Sequence, residues 1–358
     1  MWPSTALDHG EDIDTSADRT EVAISPTQVG VGRVLWVPTL GTACGIAEYT
    51  RLLAQAEGSV GTTAQRPDMD KLTLLHVQHE FSLFNDGDLS SCVTAARDHG
   101  VPTVVTEHSV ILDAGHRSHY YPSDEPLFAT LKREWESAVD ALVALTETGT
   151  NTLRTRWPGK RIVHIPHGCP TWFPSRKPER GRVIGAFGFL APYKGYWDLL
   201  EVLREVPGTQ LLIFSHPRYT CPPDVERDWV RASEGLPVRW VRDFLPDVEI
   251  AARLAAEADI VAFWYHAGSF ASASGAVRVG LATGVPVLTS PIGTFQDVRS
   301  VTYQPDDLVD GVRRLLEDTP LRDRLTNGAR DYCQTNSWFD SARRHVALWC
   351  ELEELRLS

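Results

Sequence analysis

DIVAFWYHAGSFASASGAVRVGLATGVPVLTSP, residues 259–291, contains a strand, a loop, a helix and a second strand. Residues 260–264 form a short apolar run without alternation, which predicts a strand buried on both faces of a parallel sheet. The small residues at 267–274 predict a loop, and apolar residues recur at helical spacing over 275–283. Residues 286–289 predict another buried strand. The loop therefore joins the carboxyl end of a strand to the amino end of a helix.

A loop in this position can bind an anion. The first N–H groups of a helix have no partner within the helix, and the helix dipole favours negative charge there. Small residues also let a phosphate approach the backbone closely. Glycine-rich turns of this kind are also common in α/β folds as simple strand-to-helix connections that bind no ligand. From this segment alone, a phosphate site and a simple turn both remain open.

The composition narrows the classes of function. A length of 358 residues with 42% hydrophobic residues predicts two α/β domains. The net charge of −12 argues against a nucleic-acid or anionic-membrane partner. Apolar runs stay well short of the ~20 residues that span a bilayer. The six cysteines form no C-x-x-C pair, which predicts reduced thiols, no zinc site and a cytoplasmic location.

The remaining sequence predicts two similar halves. Residues 1–32 are polar and acidic, as in a disordered or loosely attached leader. Residues 33–170 and 182–336 each alternate strands with helices, which predicts two doubly wound domains with a cleft between them. The proline- and charge-rich residues 171–181 read as a linker. Residues 337–358 predict an amphipathic helix that we expect to pack back toward the first domain.

Two predicted strands of the first domain end next to histidines. Residues 72–77 are followed by QHE, and residues 102–106 by EH, which ends at His108. Open parallel sheets bind ligands at the carboxyl ends of their strands, and histidine is a common proton carrier near neutral pH. A structural role for either histidine remains the alternative. The acceptor-binding candidates are His79, Glu80 and His116, the last within the aromatic, polar loop 110–125.

Several segments together resemble the GT-B glycosyltransferases of the large retaining family of the family 4 type, which commonly carry an E-x7-E signature. The segments lie between residues 33 and 355 and read GTACGIAEYT, VVTEHS, ALTETGTNTL, IPHG, GFLAPYKG, DFLPD and SGAVRVGLATGVPVLTSP. The resemblance implies an α/β GT-B fold, with two doubly wound Rossmann-like domains facing a central cleft. It also implies hexosyl transfer with retention from an NDP-sugar of the UDP or GDP type to a small-molecule or glycan acceptor. We expect no metal and no cofactor beyond this co-substrate.

Roles of the family carry over where residues match. Lys194 stands where the family's lysine meets the donor diphosphate, and a lysine there can neutralise the leaving group. His108 matches a histidine near the donor sugar and its developing charge. The resemblance thus implies catalytic roles for both, and a solvated lysine is the plain alternative. The other implied donor-binding residues are Gly41, Cys44 and Gly45 in the first turn, Gly188 and Phe189, Phe244 and Leu245 near the nucleobase, and Ser272, Ser274, Gly275 and Ala276.

The chain departs from the family at its signature. Counted back from GVPV, the two glutamates would fall at Ala271 and Val279. In the family these glutamates contact the donor sugar and its ribose. In this chain other groups would have to make those contacts, and the candidates are Ser269, Ser272 and the loop backbone. Phe189 also replaces an arginine of many relatives. Two alternatives therefore remain: a non-catalytic nucleotide-sugar-binding protein, and a phosphorylase, synthase or epimerase of the same fold.

Overall fold

The computed structural model describes residues 32–84, 86–112, 133–174, 181–217, 222–268 and 270–357. Residues 1–31 of the predicted leader and residues 175–180 of the predicted linker lie outside these ranges. His116 and Ser269 also lie outside them. The described part is built around two parallel sheets with helices on their faces.

The first sheet has six parallel strands within the described ranges, in the order β2-β1-β3-β4-β6-β7. Its central strands are short apolar runs. Because helices cover both faces of the sheet, polar and apolar residues need not alternate along these strands. The elements of this half are β1 (Gly32–Trp36), α1 (Gly45–Glu57), β2 (Gly61–Thr63), β3 (Leu72–His79), α2 (Asp86–Asp98), β4 (Thr103–Glu107), β5 (Ser109–Ile111), α3 (Glu134–Ala138), β6 (Ala141–Ala144), α4 (Glu147–Arg156) and β7 (Arg161–His164).

The second sheet has five parallel strands in the part of the chain described, in the order β10-β9-β8-β11-β13. The elements of residues 183–357 are β8 (Val183–Phe187), α5 (Tyr196–Glu205), β9 (Gln210–Phe214), α6 (Pro223–Ser233), β10 (Val238–Val241), α7 (Asp247–Glu257), β11 (Ile260–Phe263), β12 (Phe270–Ser272), α8 (Gly275–Ala282), β13 (Val287–Thr289), α9 (Leu308–Glu317), α10 (Thr319–Thr335) and α11 (Trp338–Leu357). None of the described helices is long and apolar enough to cross a bilayer.

The strand–loop–helix–strand unit of residues 259–291 is present, but its loop contains a strand that the sequence did not predict. This strand, β12, pairs antiparallel with β5 of the first half, with Ala271 opposite Val110 and Ser272 opposite Ser109. The side chain of Ala271 packs into the apolar core of the first half, beside Val110 and Leu153. The prediction of a plain loop was therefore wrong. The three residues Phe270, Ala271 and Ser272 give little strand signal by themselves, because their partner strand lies far away in sequence.

The helix α11 lies against the first sheet. Arg33 in β1 forms an ion pair with Glu353 at 2.7 Å, and Trp349 Nε1 donates to His76 Nδ1 at 3.2 Å. The chain reaches α11 through residues 336–338, which run beside Cys169 in a parallel bridge. The amide N–H of Cys169 donates to the carbonyl of Asn336 at 2.8 Å. The two segments that connect the halves are thus hydrogen-bonded to each other.

Candidate functional site

The amino end of α8 has the features of an anion site. Ser274 is buried, and its Oγ accepts a hydrogen bond from the N–H of Val277 at 3.4 Å, which caps the helix. The N–H groups of Gly275 and Ala276, at the first two positions of the helix, have no partner within it. The first turn contains no acidic residue. Positive charge from the backbone is therefore concentrated here without a nearby carboxylate on the same turn.

The side chain of Tyr265 lies between Lys194 and this helix end. Its Nζ is 3.9 Å from the centroid of the Tyr265 ring, and the hydroxyl of Tyr265 is 3.4 Å from Ser274 Oγ. Burial raises the pKa of Tyr265, so its phenol stays neutral. Among the described residues, no carboxylate lies within ion-pair distance of the Lys194 ammonium. This cation is therefore available to an anionic ligand.

Glycines on either side hold Lys194 in this place. Gly195 has φ of +67°, and a methyl group there would lie 1.7 Å from the carbonyl oxygen of Trp264. This position therefore requires glycine. Gly188 also has a positive φ, and a methyl group on it would lie 3.8 Å from Lys194 Nζ. Gly188 and Lys194, which the resemblance implies are both donor-binding residues, are neighbours in the structure.

Two stacked aromatic rings, one of them exposed, follow the carboxyl ends of β8 and β10 in the second sheet. The rings of Phe189 and Phe244 stack with their centroids 6.0 Å apart and their planes inclined by 14°. His216 contacts the Phe244 ring edge-on, at 6.0 Å. Phe244 keeps 50% of its surface exposed, while Leu245 packs partly into the core. A flat ring exposed in this way can stack on a planar ligand such as a nucleobase.

In the first half, His108 is held by Gln78. His108 Nε2 and Gln78 Oε1 are 3.0 Å apart, and the Tyr49 ring contacts the His108 ring edge-to-face at 4.7 Å. Burial lowers the pKa of His108 to about 3, so the ring is neutral at physiological pH. His108 keeps 8% of its surface exposed.

Tyr49 and His167 connect the two halves of the site. The Tyr49 ring contacts His167 at 5.0 Å as well as His108. A methyl group on Gly275 would lie 3.1 Å from His167 Nε2, so His167 lies against the start of α8. Its Nδ1 donates to the carbonyl of Gly168 at 2.7 Å, and burial lowers its pKa well below the usual value. The structure thus brings α1, His108 and the amino end of α8 together.

The turn before α1 is more open. Gly41 has φ of +83° and is exposed, as is Gly45 at the start of the helix. Cys44 occupies the N-cap position and is buried, but its side chain makes no capping hydrogen bond. The first turn also contains Glu48, which pairs with Arg51 at 2.5 Å.

The two described acceptor-binding candidates, His79 and Glu80, lie in different surroundings. His79 is 1% exposed and packs against Phe81 and Trp135, and burial lowers its pKa to about 3. In this conformation it presents no surface to an acceptor. Glu80 is partly exposed and accepts a hydrogen bond from Ser109 Oγ at 2.7 Å, next to the β5–β12 pair. His116 lies outside the described residues.

The positions of the missing glutamates are both interior. Ala271 is 6% exposed and Val279 is 3% exposed, so neither side chain lines a groove. Ser272, a candidate replacement, is partly buried within the β5–β12 pair. Side chains of the described residues form no cluster of three or more His, Cys, Asp or Glu that could hold a metal ion.

Sequence reasoning missed several residues at this site. They share a signal that could have revealed them, because each lies at or just after the carboxyl end of a parallel strand or on the first helix that follows one. Their polar atoms also separate them from ordinary core residues. These residues are Tyr49, Gln78, His167, His216 and Tyr265.

Comparisons with known proteins place the fold. No family model matches the chain. A D-inositol 3-phosphate glycosyltransferase from Nocardioides sp. (strain ATCC BAA-499 / JS614) is 34% identical over 116 residues. That match spans 30% of this chain and only 25% of the length of the relative.

Solved structures match over most of the chain. Sucrose-phosphate synthase from Thermosynechococcus elongatus aligns with a TM-score of 0.69 at 16% identity, over 90% of this chain and 99% of that chain. HepE from Anabaena, in complex with UDP-glucose, aligns with a TM-score of 0.66 at 12% identity, over 89% and 99%. AviGT4, a glycosyltransferase involved in avilamycin A biosynthesis, aligns with a TM-score of 0.55 at 13% identity, over 91% and 98%. The chain has the GT-B fold, with two Rossmann-like domains.

Proposed function

We propose that this protein is a glycosyltransferase that moves a hexose from an NDP-sugar of the UDP or GDP type to a small-molecule or glycan acceptor. One observation carries the proposal: the ammonium of Lys194, which pairs with no carboxylate in the described part of the chain, lies beside the capped amino end of α8, with Tyr265 between them. A lysine and a row of helix amides are the groups that bind a diphosphate. The relative named as a glycosyltransferase and the UDP-glucose complex of HepE support this choice of donor.

The donor would lie with its diphosphate at Lys194 and the α8 amides and its base on the ring of Phe244. The sugar would then extend toward His108. We propose front-face transfer with retention: the bond from the anomeric carbon to the phosphate oxygen breaks as the acceptor oxygen forms its bond on the same face. The acceptor proton passes to the leaving phosphate. Lys194 and the α8 amides stabilise the charge that develops on this phosphate. We propose that transfer takes place in the cytoplasm and needs no metal ion.

Substituting Lys194 tests the donor site. Hydrogen bonds to charged groups contribute about 1.5–3 kcal/mol, so Lys194→Ala should weaken binding of UDP or GDP at least about 10-fold. Titration calorimetry with each nucleotide measures the effect. Lys71→Ala is the matched control, because Lys71 is an exposed lysine paired with Asp68 at 2.8 Å in the first half. Equal, small effects of both substitutions would remove the phosphate assignment.

A non-catalytic nucleotide-sugar-binding protein is the second candidate, and the apolar residues Ala271 and Val279 favour it. Release of NDP from UDP-glucose or GDP-mannose, with and without a panel of acceptors, separates the candidates. Acceptor-dependent release supports transfer. Tight binding of nucleotide without release identifies the binding protein, and release driven by inorganic phosphate identifies a phosphorylase. Adding EDTA to an active mixture tests the proposed independence from metal.

A further inference from the structure

Gln78 is an unusual residue for its place in the fold. It lies near the end of β3 and is fully buried, on the face of the sheet that also contains His76 and His108. Its Oε1 meets His108 Nε2 at 3.0 Å, but its own Nε2 has no hydrogen-bond partner among the residues that the structure describes. A buried amide donor without a partner costs about 1–3 kcal/mol. An apolar residue of similar size would avoid this cost, so the stability of the fold does not account for a glutamine here.

The bond to Gln78 determines which nitrogen of His108 carries the proton. An amide oxygen can only accept, so His108 Nε2 must donate. In a neutral imidazole the other nitrogen, Nδ1, then carries the lone pair and can only accept. The Tyr49 ring, 4.7 Å away, restricts rotation of the histidine ring. Gln78 is fully buried whereas His108 is partly exposed, so the histidine alone of this pair can reach a ligand.

We propose that Gln78 is a positioning residue for His108: it fixes the tautomer protonated on Nε2 and so presents Nδ1 as an acceptor for a hydroxyl group of the donor sugar. The inference rests on the proposed function for its sugar ligand. The hydrogen bond and the tautomer can be tested without any ligand. An experiment can therefore reject the positioning role of Gln78 separately from the proposed function.

Nitrogen NMR of the full chain, labelled with ¹⁵N-histidine, tests the tautomer. The His108 signals are assigned by their loss in His108→Gln. We expect the Nε2–H form in the parent chain at pH 7.5. Gln78→Met should give a mixture of tautomers. Gln78→Glu should place protons on both nitrogens near neutral pH, because a buried carboxylate favours the imidazolium. An Nδ1–H form in the parent, or an unchanged tautomer in Gln78→Met, would overturn the proposal.

Kinetics test the role of this tautomer. Gln78→Met should lower kcat about 10-fold, a typical effect of one lost polar contact, with KM for the donor within about 2-fold. In Gln78→Glu, activity should fall as the pH drops from 8 to 6, whereas the parent stays level. Parent-like kcat and pH profiles in both variants would reject the positioning role. Absence of UDP and GDP binding by the parent would instead sink the proposed function.

Thr106→Val is the matched control. Thr106 lies on the neighbouring strand, and its hydroxyl is hydrogen-bonded to a buried histidine, His76, at 2.8 Å. Thr106 lies opposite Gln78 in the sheet, and the substitution removes its hydroxyl while both partners of the Gln78–His108 hydrogen bond remain. We expect the His108 tautomer and kcat to stay as in the parent. If Thr106→Val alters both as much as Gln78→Met does, the effect is general loosening of the sheet and the assignment to Gln78 fails.

Discussion

The amino ends of α1 and α8 come from strand–loop–helix connections in opposite halves, yet they differ in capping and in the charges around them. At α8, Ser274 caps the helix, and the Tyr265 side chain lies between Ser274 and the ammonium of Lys194. At α1, Cys44 makes no side-chain cap, and Glu48 places a carboxylate in the first turn. That carboxylate already complements the helix dipole and would repel a phosphate. The side chains around a helix end therefore determine how well that end can hold an anion.

The two loops before α1 and α8 also differ in the hydrogen bonds that fix their conformation. The turn before α1 is closed by local hydrogen bonds, such as that from the N–H of Thr42 to the carbonyl of Thr39 at 3.0 Å. The loop before α8 pairs as β12 with β5 of the other half and buries Ala271 there. The loop at the proposed donor site is therefore part of the contact between the halves, and its conformation depends on both of them.

Restoring the first family glutamate should break this arrangement. Ala271→Glu would place a carboxylate in the apolar core of the first half, where the buried Arg156 is already paired with Glu136 at 3.2 Å. We expect a loss of roughly 3–5 kcal/mol in the free energy of unfolding and no gain in transfer activity. Urea unfolding of the parent and the variant measures the loss.

The α1 turn provides the control for this substitution. Gly45 is exposed, and a methyl group there would meet no atom within 4 Å. Gly45→Glu should therefore change the free energy of unfolding by less than about 1 kcal/mol, since an acidic residue is favoured in a first turn. If Ala271→Glu were as stable as Gly45→Glu, β12 would not be tied to the first half, and the contrast between the two loops would be lost.

Acid should destabilise the junction at which Tyr49 of α1 contacts His108 and His167. Burial lowers the pKa of His108 to about 3, against ~6.5 in an unfolded chain. Below pH 6.5 the unfolded state therefore takes up this proton first. The contribution of His108 to stability is complete above pH 6.5 and declines by about 1.4 kcal/mol per pH unit until the pH reaches about 3.

Urea midpoints at pH 7.5 and pH 5 measure this effect. At pH 5 the loss due to His108 should be roughly 2 kcal/mol. His108→Gln removes the titrating ring, so its loss between the two pH values should be smaller than that of the parent by about this amount. An equal loss in the parent and the variant would show that other groups cause the acid sensitivity, and that the ring at the junction titrates normally.

Much of this architecture could be predicted from the sequence because its signals are local. Buried apolar runs marked the parallel strands, and a single lysine after a glycine turn marked Lys194. The serine, glycine and alanine at the start of α8 lie next to each other in the chain and in space. Features of this kind depend on a few neighbouring residues, so no knowledge of the tertiary structure is needed.

The β5–β12 pair and the partner of His108 could not be predicted, because both depend on distant strands. Residues along a strand point alternately to opposite faces. In the observed register His79 lies opposite Glu107, so His79 points into the core beside Trp135 and Gln78 meets His108. The sequence showed two histidines at strand ends, but the faces on which they lie follow only from the register of the sheet.

The smallest expected effect comes from exchanging the two N-cap residues. Cys44 has an extended backbone, with φ of −143° and ψ of 127°, which suits a capping serine. Cys44→Ser should add a side-chain hydrogen bond to the first turn of α1 and raise the free energy of unfolding by about 0.5–1 kcal/mol. Ser274→Cys should lose a similar amount at α8. Thermal unfolding measures both changes.

Nucleotide binding distinguishes what the two caps do. If the α8 end alone holds the diphosphate, Ser274→Cys should weaken UDP or GDP binding several-fold, because the cap fixes the amides that face the phosphate. Cys44→Ser should leave that affinity unchanged while stabilising the fold. A change of equal size at both positions would mean that the α1 turn shares the phosphate. Glu48 would then have to be screened by Arg51, its partner at 2.5 Å.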